Sequence, residues 1–164
     1  MRRSVEARRY VGFRVGAVEY ALPIEMVVQV VQPLAVIEAP GAVREAIGLA
    51  RYRDAVIPVV DLRVRFRAEH AATSSKWLII RSDVDLIALV VCVVTAVFGT
   101  PRDELRAAPP ATGNALGCEV LGILARGHST VLLVDLRGLV QLAHGKPGLA
   151  PPTRKPLPGS IDRG

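Results

Sequence analysis

The chain has 164 residues, about half of them hydrophobic and few of them aromatic, which suffices for one compact domain and excludes a disordered chain. Its formal net charge is +6. Residues 1–9 and residues 145–164 each carry a net +3, whereas residues 10–144 hold 13 basic and 13 acidic side chains. A groove that neutralises phosphates needs basic side chains on a folded surface, so this distribution favours solvated basic ends.

The longest stretch without charge, residues 86–101, is too short for the roughly 20 apolar residues of a membrane-spanning helix. No apolar segment follows the N-terminal arginines, so we expect no secretory signal. Cys92 and Cys118 are the two cysteines, and Cys92 lies in an apolar run, which favours a buried free thiol. The sequence therefore predicts a soluble protein of the reducing cytoplasm.

The first predicted elements are a hairpin and the strand that follows it. Val11–Val15 and Val18–Leu22 alternate apolar with small or charged residues around the turn Gly16-Ala17, which is typical of a β-hairpin. After Pro23, apolar residues recur at helical spacing, but the β-branched run Val27–Val31 favours extended structure. We therefore predict one helical turn that leads into a strand.

The middle of the chain contains a predicted short helix and the clearest predicted strand. Pro40–Ile47 is read as the helix, because proline suits its first turn and Gly48 its end. In the strand Val56–Arg67 every second residue is apolar, so one face should be core and the other solvated. The predicted core face holds Val60, Leu62, Val64 and Phe66, and the solvated face holds Asp61, Arg63, Arg65 and Arg67.

The second half continues with short strands and two short helices. The apolar run Leu86–Val94 favours a strand buried on both faces. The last predicted helix places Leu136, Leu139, Val140 and Ala143 on one face. The predicted elements are a polar loop at 68–75, strands at Trp77–Ile80 and Leu86–Val94, a helix that begins at Thr100, a hairpin of Leu121–Leu124 and Val131–Val134, and a helix capped by Asp135.

About nine short strands separated by turns, with no clear long-period repeat, favour small barrels over a sandwich or a parallel sheet. Residues 145–164 hold five prolines and four glycines, a composition typical of a disordered tail. The predicted organisation is a basic N-terminal tail at 1–9, a mainly β domain at 10–144 and a disordered Pro/Gly-rich tail at 145–164.

No group of catalytic or metal-binding residues is apparent in the sequence. His70, His128 and His144 are isolated and share no metal-ligand spacing with a cysteine or carboxylate. Asp83 and Asp85 lie in a predicted turn, where aspartate is favoured. There is no Gly-rich phosphate loop and no Gly-x-Ser-x-Gly elbow. We therefore predict a protein that is not an enzyme, with no catalytic, cofactor-binding or metal-binding residues.

Three segments together carry a family signature. They read Phe13-x-x-Gly16-x-x-x-Tyr20-Ala21-Leu22-Pro23-Ile24-x-x-Val27-x-x-Val30, then Gly48-x-x-x-x-Arg53-x-x-Val56-Ile57-Pro58-Val59-Val60-Asp61-Leu62-Arg63-x-x-Phe66, then Leu121-Gly122-Ile123 followed by Leu132-Leu133-Val134-Asp135-Leu136. In order and separation they resemble the CheW family of chemotaxis adaptors over about residues 10–144. The part from Val56 to Phe66 is the most specific.

The resemblance implies two SH3-like five-stranded β-barrels around a shared core, with a few short helices and no catalytic activity. Family members link methyl-accepting receptors to a CheA-type histidine kinase whose regulatory domain has the same fold, and the receptor tip lies in an apolar groove between the barrels. The expected partners of this chain are therefore a chemoreceptor's cytoplasmic tip and that kinase domain, in the cytoplasm and recruited to receptor clusters. Positions Val27, Val30, Gly48 and Arg53 match the region of partner contact.

Val27 and Val30 are expected to form an exposed apolar patch that docks a helical receptor tip. The alternative is that both are core valines.

The chain departs from the family pattern beside these positions. The family usually has Asn-Leu-Arg-Gly where this chain has Arg51-Tyr52-Arg53-Asp54, and Glu where it has Gln29. Gln29 can accept a hydrogen bond from Arg53 but contributes no charge, so we expect a weaker contact. Asp54 tolerates a left-handed backbone less well than glycine and offers Arg53 a competing partner. The predicted partner-binding residues are Val27, Gln29, Val30, Gly48, Arg51, Arg53 and Asp54.

Two roles in signalling are open: a full receptor–kinase coupler, or an accessory adaptor that binds receptor but couples poorly to kinase. An alternative function is a small basic β-barrel nucleic-acid-binding protein, suggested by the arginines at positions 51, 53, 63, 65 and 67. That function needs aromatic stacking platforms on a basic face, and Tyr10, Tyr20 and Tyr52 are not interleaved with a basic stripe. We expect no nucleic-acid partner and no membrane insertion.

Overall fold

The structure, a computed structural model, describes residues 8–38, 46–66, 68, 75–100, 105–107 and 118–145. Strands dominate this part of the chain, which confirms the mainly β prediction, and one more strand is present than the nine expected. The elements are β1 (Arg8–Val15), β2 (Val18–Pro23), a 3-10 turn (Ile24–Met26), β3 (Val27–Val31), β4 (Gly48–Tyr52), β5 (Ala55–Asp61), α1 (Leu62–Arg65), β6 (Lys76–Ser82), β7 (Asp85–Val91), β8 (Val93–Thr100), β9 (Glu119–Arg126), β10 (Ser129–Asp135) and α2 (Arg137–Ala143).

The strands form two five-stranded sheets. The terminal sheet has the order β8-β1-β2-β10-β9 and combines the two ends of the domain. The central sheet has the order β3-β6-β7-β5-β4 and is continuous in sequence. In each sheet one pair is parallel, β2 with β10 and β5 with β7, and the other pairs are antiparallel.

The two predicted hairpins are confirmed. Gly16 begins the turn between β1 and β2 with φ +61°, and Gly127 begins the turn between β9 and β10 with the same angle. This left-handed backbone costs glycine little. The predicted helical turn after Pro23 is the 3-10 turn, and the predicted strand after it is β3.

The clearest predicted strand ends earlier than its alternation suggested. β5 stops at Asp61 because the Asp61 side chain accepts a hydrogen bond from the backbone N–H of Arg63 at 2.9 Å, which starts α1. The same carboxylate pairs with the Arg63 guanidinium at 2.9 Å. Asp61 is therefore only 9% exposed, and the predicted solvated face is wrong at this position.

The change from strand to helix also alters which apolar residues are buried. Val60 and Leu62 are buried as predicted, and Phe66 packs half-buried against the core. Val64 is 63% exposed, so its predicted core position is wrong. A helix advances about 100° per residue, which turns Val64 away from the face that a continuing strand would have given it. Arg67 lies outside the described residues.

The apolar run Leu86–Val94 is not one buried strand. β7 ends at Val91, the chain bends at Cys92, and β8 begins at Val93 in the other sheet. Ile87 to Val91 are buried, whereas Val93 is exposed and Val94 half-buried. The run therefore encodes a crossing between sheets, with full burial confined to the part that lies in the central sheet.

The last helix is confirmed. The Asp135 carboxylate accepts a hydrogen bond from the backbone N–H of Arg137 at 2.9 Å, as Asp61 does at α1. The four residues of its predicted apolar face, Leu136, Leu139, Val140 and Ala143, are buried. Trp77–Ile80 lies in β6, as predicted.

Other predicted elements lie partly or wholly outside the described residues. The helix at 40–47 is described only at Ala46 and Ile47, which are not helical, and the loop at 68–75 only at its two ends. Thr100 is the last residue of β8. Of the predicted tails, Arg8, Arg9 and Gly145 are described, and β1 begins at Arg8.

Three apolar clusters organise the fold. The shared core lies between the two sheets and includes Phe13 and Leu22 of the terminal sheet and Leu78 and Leu89 of the central sheet. Each sheet also has a smaller core on its other face. The central-sheet core contains Tyr52 and Trp77, and the terminal-sheet core contains Tyr10 and Leu133.

The structure reveals an internal repeat that the sequence did not predict. Strands β1 to β5 and β6 to β10 follow one plan, in which the first hairpin of each half pairs with the last three strands of the other half. Gly48–Arg63 and Gly122–Arg137 are equivalent, equal in length, and both end in Val-Asp-Leu-Arg. Few other positions are identical between the two segments, since many apolar residues can fill equivalent strand positions.

Candidate functional site

The predicted partner-binding residues cluster on β3 and on the β4–β5 hairpin, at opposite edges of the central sheet. Side chains join these edges. The Tyr52 hydroxyl donates a hydrogen bond to Oε1 of Gln29 at 2.6 Å, and Nη2 of Arg53 donates to the same oxygen at 3.3 Å. The Arg53 guanidinium also lies over the Tyr52 ring, 5.1 Å from its centroid. The sheet thereby closes into a barrel whose seam contains Gln29 and Arg53.

The backbone strain in this hairpin falls on Arg53. Arg53 has φ +53°, a left-handed conformation that costs a residue with a side chain about 1–2 kcal/mol. The left-handed backbone that we expected at Asp54 therefore occurs one residue earlier, at Arg53. Asp54 and Arg51 are exposed beside it. Because the Arg53 side chain points to Gln29 and Tyr52, Asp54 has not drawn it away.

A β-bulge determines how the two predicted valines are placed. The register of β3 on β6 shifts between Val27 and Gln29, so that Val27 pairs with Ile80 and Val30 with Leu78. Both partners belong to the shared core, so Val27 and Val30 face the same side although they are three residues apart. Val27 packs half-buried on this core, whereas Val30 is 43% exposed at its rim.

Gly48 allows close packing of the segment at 36–37 against β4. It is buried, and a Cβ there would lie 2.6 Å from Cγ1 of Val36 and 2.7 Å from the carbonyl oxygen of Ile37. Ile37 pairs with Leu49 through two backbone hydrogen bonds of 2.7 and 2.8 Å, which bring this segment directly over Gly48. A partner would reach the segment at 36–37 before it reached Gly48.

The repeat places a matching arrangement on the terminal sheet, which the sequence analysis missed. β8 has a bulge opposite the junction of Gly12 and Phe13, so that Val94 pairs with Phe13 and Val97 with Val11. Both valines therefore face the shared core, and Val97 is 51% exposed. Both pairs have the spacing Val-x-x-Val, at 27–30 and at 94–97, but the same spacing also occurs at 15–18 and 131–134 and therefore could not have identified them.

The terminal sheet also closes edge to edge. The Arg126 guanidinium on β9 lies over the Phe98 ring on β8, 4.2 Å from its centroid. Gly122 sits beneath the carbonyl oxygen of Arg106, as Gly48 sits beneath that of Ile37. The predicted pair of small five-stranded barrels is thereby confirmed.

The described thiols and histidines do not form a chemical centre. Both cysteines are free. Burial raises the pKa of the Cys118 thiol to about 11, which keeps it protonated at neutral pH. Cys92 is half-buried, with its Sγ 3.4 Å from the backbone N–H of Gly16 that donates to it. His128 is exposed, and Nε2 of His144 donates to the carbonyl oxygen of Leu86 at 2.7 Å.

Two further properties of the described residues bear on function. No group of three or more His, Cys, Asp and Glu side chains among them could hold a metal ion. Neither described helix is long and apolar enough to cross a bilayer.

Comparisons with known proteins agree with this architecture. The family profile described as the CheW-like domain matches residues 9–144. Chemotaxis protein CheW of Helicobacter pylori (strain ATCC 700392 / 26695) is 24% identical over 106 residues, which are 63% of this chain and 64% of that protein, so the match spans less than two thirds of the relative. The crystal structure of the scaffolding protein TtCheW from Thermoanaerobacter tengcongensis shares the fold with a TM-score of 0.74 and 24% identity, covering 87% of this chain and 98% of that one.

Proposed function

The chain belongs to the CheW-like domain family, and on that premise we propose that it is a non-catalytic adaptor in a chemotaxis-like or motility pathway. Its partners are the cytoplasmic tip of a methyl-accepting chemoreceptor and, less strongly, the regulatory domain of a CheA-type histidine kinase. It acts in the cytoplasm and is recruited to receptor clusters. No step of this function requires a cofactor.

The receptor surface consists of the exposed valines at the rim of the shared core. The observation that supports it is the repeated bulge, which holds Val27 with Val30 and Val94 with Val97 on the shared-core side of their edge strands. Exposed apolar groups of this kind commonly mark a protein partner, and an amphipathic helix docks through such groups at a spacing of three to four residues. The receptor's helical tip is the partner of that chemistry.

Substitution of the exposed members of the two pairs tests the receptor surface. Val30→Glu and Val97→Glu should each weaken binding of a receptor cytoplasmic fragment at least about tenfold, since a carboxylate must lose water to enter an apolar contact. Val64→Glu is the matched control, because Val64 is more exposed than Val30 or Val97 and lies on α1, not on either edge strand. Binding that all three variants retain would exclude this surface, and circular dichroism checks that each variant is folded.

The kinase surface is the seam of the central barrel, formed by Gln29 and Arg53 with the exposed Arg51 and Asp54 beside it. Arg51→Glu reverses a charge without touching the hydrogen bonds of the seam. We expect this variant to lose binding to the kinase regulatory domain and to keep receptor binding. If Arg51→Glu lost binding to both partners, or kept binding to both, the kinase contact would lie elsewhere.

The domain organisation is part of this proposal. Its parts are a basic tail at 1–9, the adaptor domain at 10–144 and a Pro/Gly-rich tail at 145–164, of which the last is dispensable for folding. A chain without residues 145–164 should keep its dispersed amide proton spectrum and its affinity for receptor. Collapse of that dispersion would show that the tail packs on the domain.

The nucleic-acid alternative lacks a structural basis in the barrels. Single-stranded nucleic acid is bound by exposed aromatic rings on a basic surface. Tyr10, Tyr52 and Trp77 are buried, and Tyr20 and Phe98 are half-buried with their rings against other aromatic side chains. A salt titration with single-stranded DNA separates the cases: binding that survives deletion of both tails would revive this alternative.

A further inference from the structure

The bulge of β8 inserts Thr95 between the two valines that we propose for receptor contact on this strand. Val94 pairs with Phe13 and Ala96 with Gly12, so Thr95 is the extra residue of the ladder. A bulge of this kind sets two neighbouring residues of one strand against a single residue of the other. The position of the extra residue therefore determines which side chains of β8 face the shared core.

Thr95 is bonded to β2 across the intervening strand β1. Its hydroxyl donates a hydrogen bond to Oε1 of Glu19 at 2.9 Å, and a carboxylate makes a stronger acceptor than a neutral oxygen. A Cβ at Gly12 would lie 2.5 Å from Oγ1 of Thr95 and 3.4 Å from Oε1 of Glu19. Gly12 thus leaves open the space that this bond occupies. We call Thr95, Glu19 and Gly12 the polar clip.

The matching place in the central sheet is built from apolar residues. The extra residue of the β3 bulge is Val28, and Ile79 lies opposite that bulge. Leu86 takes the place of Glu19, because each is the second residue of the strand that follows its hairpin turn. A bulge at this point of the fold therefore forms without a hydroxyl and a carboxylate, and the polar clip is a feature of the terminal sheet.

The polar clip fixes the extra residue of β8 at Thr95. If Val94 were the extra residue, Thr95 would lie opposite Phe13 and would turn its hydroxyl towards the shared core. If Val97 were the extra residue, Ala96 would take its place on the core side. Because β8 is an edge strand with a single neighbour in the sheet, a side-chain bond across that neighbour adds to the one ladder that holds its register.

From this geometry we propose that Thr95 and Glu19 are positioning residues for receptor binding, which hold the bulge so that Val94 and Val97 face the shared-core side together. The proposal rests on the receptor surface proposed above. Neither positioning residue needs to touch the receptor. Tyr20, next to Glu19 on β2, packs on the shared core, so the clip lies on the opposite face of the sheet.

Isosteric substitution tests the hydroxyl in binding of a receptor cytoplasmic fragment. Thr95→Val keeps shape and strand preference but removes the donor, and Glu19→Ala removes the acceptor. Each should weaken binding about threefold to tenfold, and the double variant should lose no more, since both changes break one bond. Thr95→Ser keeps a hydroxyl and should bind as wild type does. Val28→Thr, the reverse exchange at the matching bulge, is the control and should also bind normally.

Methyl NMR spectra of valine-labelled protein test the bulge without receptor. We expect the signals of Val94 and Val97 to shift or broaden in Thr95→Val and in Glu19→Ala, and to keep their wild-type positions in Thr95→Ser, with thermal midpoints near wild type in all three. Wild-type signals and affinity in Thr95→Val would overturn the proposal. Equal losses of affinity in the serine and valine variants would do the same, since the hydroxyl would then not be the cause.

Val97→Glu separates this proposal from the receptor surface on which it rests. If Val97→Glu loses binding while the variants at Thr95 and Glu19 keep it, the receptor surface stands and the polar clip has no part in binding. If every variant keeps wild-type affinity, the receptor surface itself is excluded, and the positioning role falls with it whatever the methyl spectra show.

Discussion

Gln29 and Tyr52 connect the two edges of the central sheet through a hydrogen bond of 2.6 Å. The Tyr52 ring belongs to the central-sheet core, whereas Gln29 is exposed on β3, so the bond ties the packed interior to the surface seam. Arg53 is held at the same oxygen by a longer bond of 3.3 Å. The side chain of Gln29 therefore both closes the barrel and positions an arginine for a partner.

A double-mutant cycle should detect this closure. Tyr52→Phe removes the hydroxyl donor and Gln29→Ala removes the acceptor, and we expect the two changes to be coupled by about 0.5–1.5 kcal/mol, the usual net value of a hydrogen bond. Urea unfolding of the wild type, both single variants and the double variant measures it. Strictly additive losses would mean that the bond contributes nothing to stability.

The two valines of β3 should behave differently under a small truncation. Val27→Ala removes half-buried methyl groups from the shared core and should cost about 1 kcal/mol. Val30→Ala removes largely solvated methyl groups and should stay within about 0.5 kcal/mol of wild type. Thermal or urea denaturation compares them. Equal losses would place both valines in the core and remove Val30 as a contact residue.

Substitution of Gly48 should lower the stability of the fold and leave the affinity for receptor unchanged. The added Cβ of Gly48→Ala must displace Val36 and the backbone of Ile37, which should cost about 1–3 kcal/mol. Receptor affinity, measured on the folded fraction, should be unchanged. Arg51→Ala, on the exposed face of the same strand, is the control with little loss of stability. A stable Gly48→Ala protein with lost affinity would return Gly48 to the contact surface.

Alkaline pH should destabilise the protein through Cys118. Burial raises its pKa from an ordinary 9.0 to about 11, so the unfolded chain loses this proton first. Stability is fully present below about pH 9 and declines as pH rises towards 11, by on the order of 2 kcal/mol. Half-buried Tyr20, whose pKa is also raised, chiefly by desolvation, adds a loss of the same sign.

Cys118→Ala isolates the thiol in this pH dependence. Its unfolding free energy should fall less than that of wild type between pH 8 and pH 11, because the contribution of the buried thiol is gone. Urea midpoints at several pH values provide the comparison. Parallel curves for the two proteins would show that the thiol titrates alike in the folded and unfolded states.

If this chain is an accessory adaptor that couples poorly to kinase, substitution at Gln29 should strengthen the coupling. Gln29→Glu gives the charged Arg53 guanidinium an ionised acceptor in place of a neutral amide, which makes the contact an ion pair, and Asp54→Gly in the same chain removes a neighbouring carboxylate. We expect the double variant to stimulate the kinase severalfold more than wild type, in a reconstituted mixture with receptor and kinase. Full stimulation by wild type, unchanged in the variant, would make this chain an ordinary coupler.

Local sequence patterns were sufficient for the hairpins and for the last helix. Gly16 and Gly127 supply left-handed turns between alternating segments, and Asp135, one residue before the N-cap Leu136, accepts a hydrogen bond from the first backbone N–H of a helix with a clear apolar face. These signals act between residues close in sequence, where alternation and turn chemistry are decisive. The family resemblance rested on three segments in order, the most specific of which runs from Val56 to Phe66, and it predicted the two barrels correctly.

The tertiary structure determined the exposure of several valines that the alternation of apolar residues in the sequence did not determine. Val64 continues the apolar alternation of β5, yet Asp61 starts a helix and turns it into solvent. Val30 and Val97 reach the shared-core side because bulges shift their registers, and a register depends on the partner strand. The fold joins β2 to β10 across most of the chain. The sequence by itself thus determined local elements and family, whereas long-range pairing decided which valines are exposed and where the seam closes.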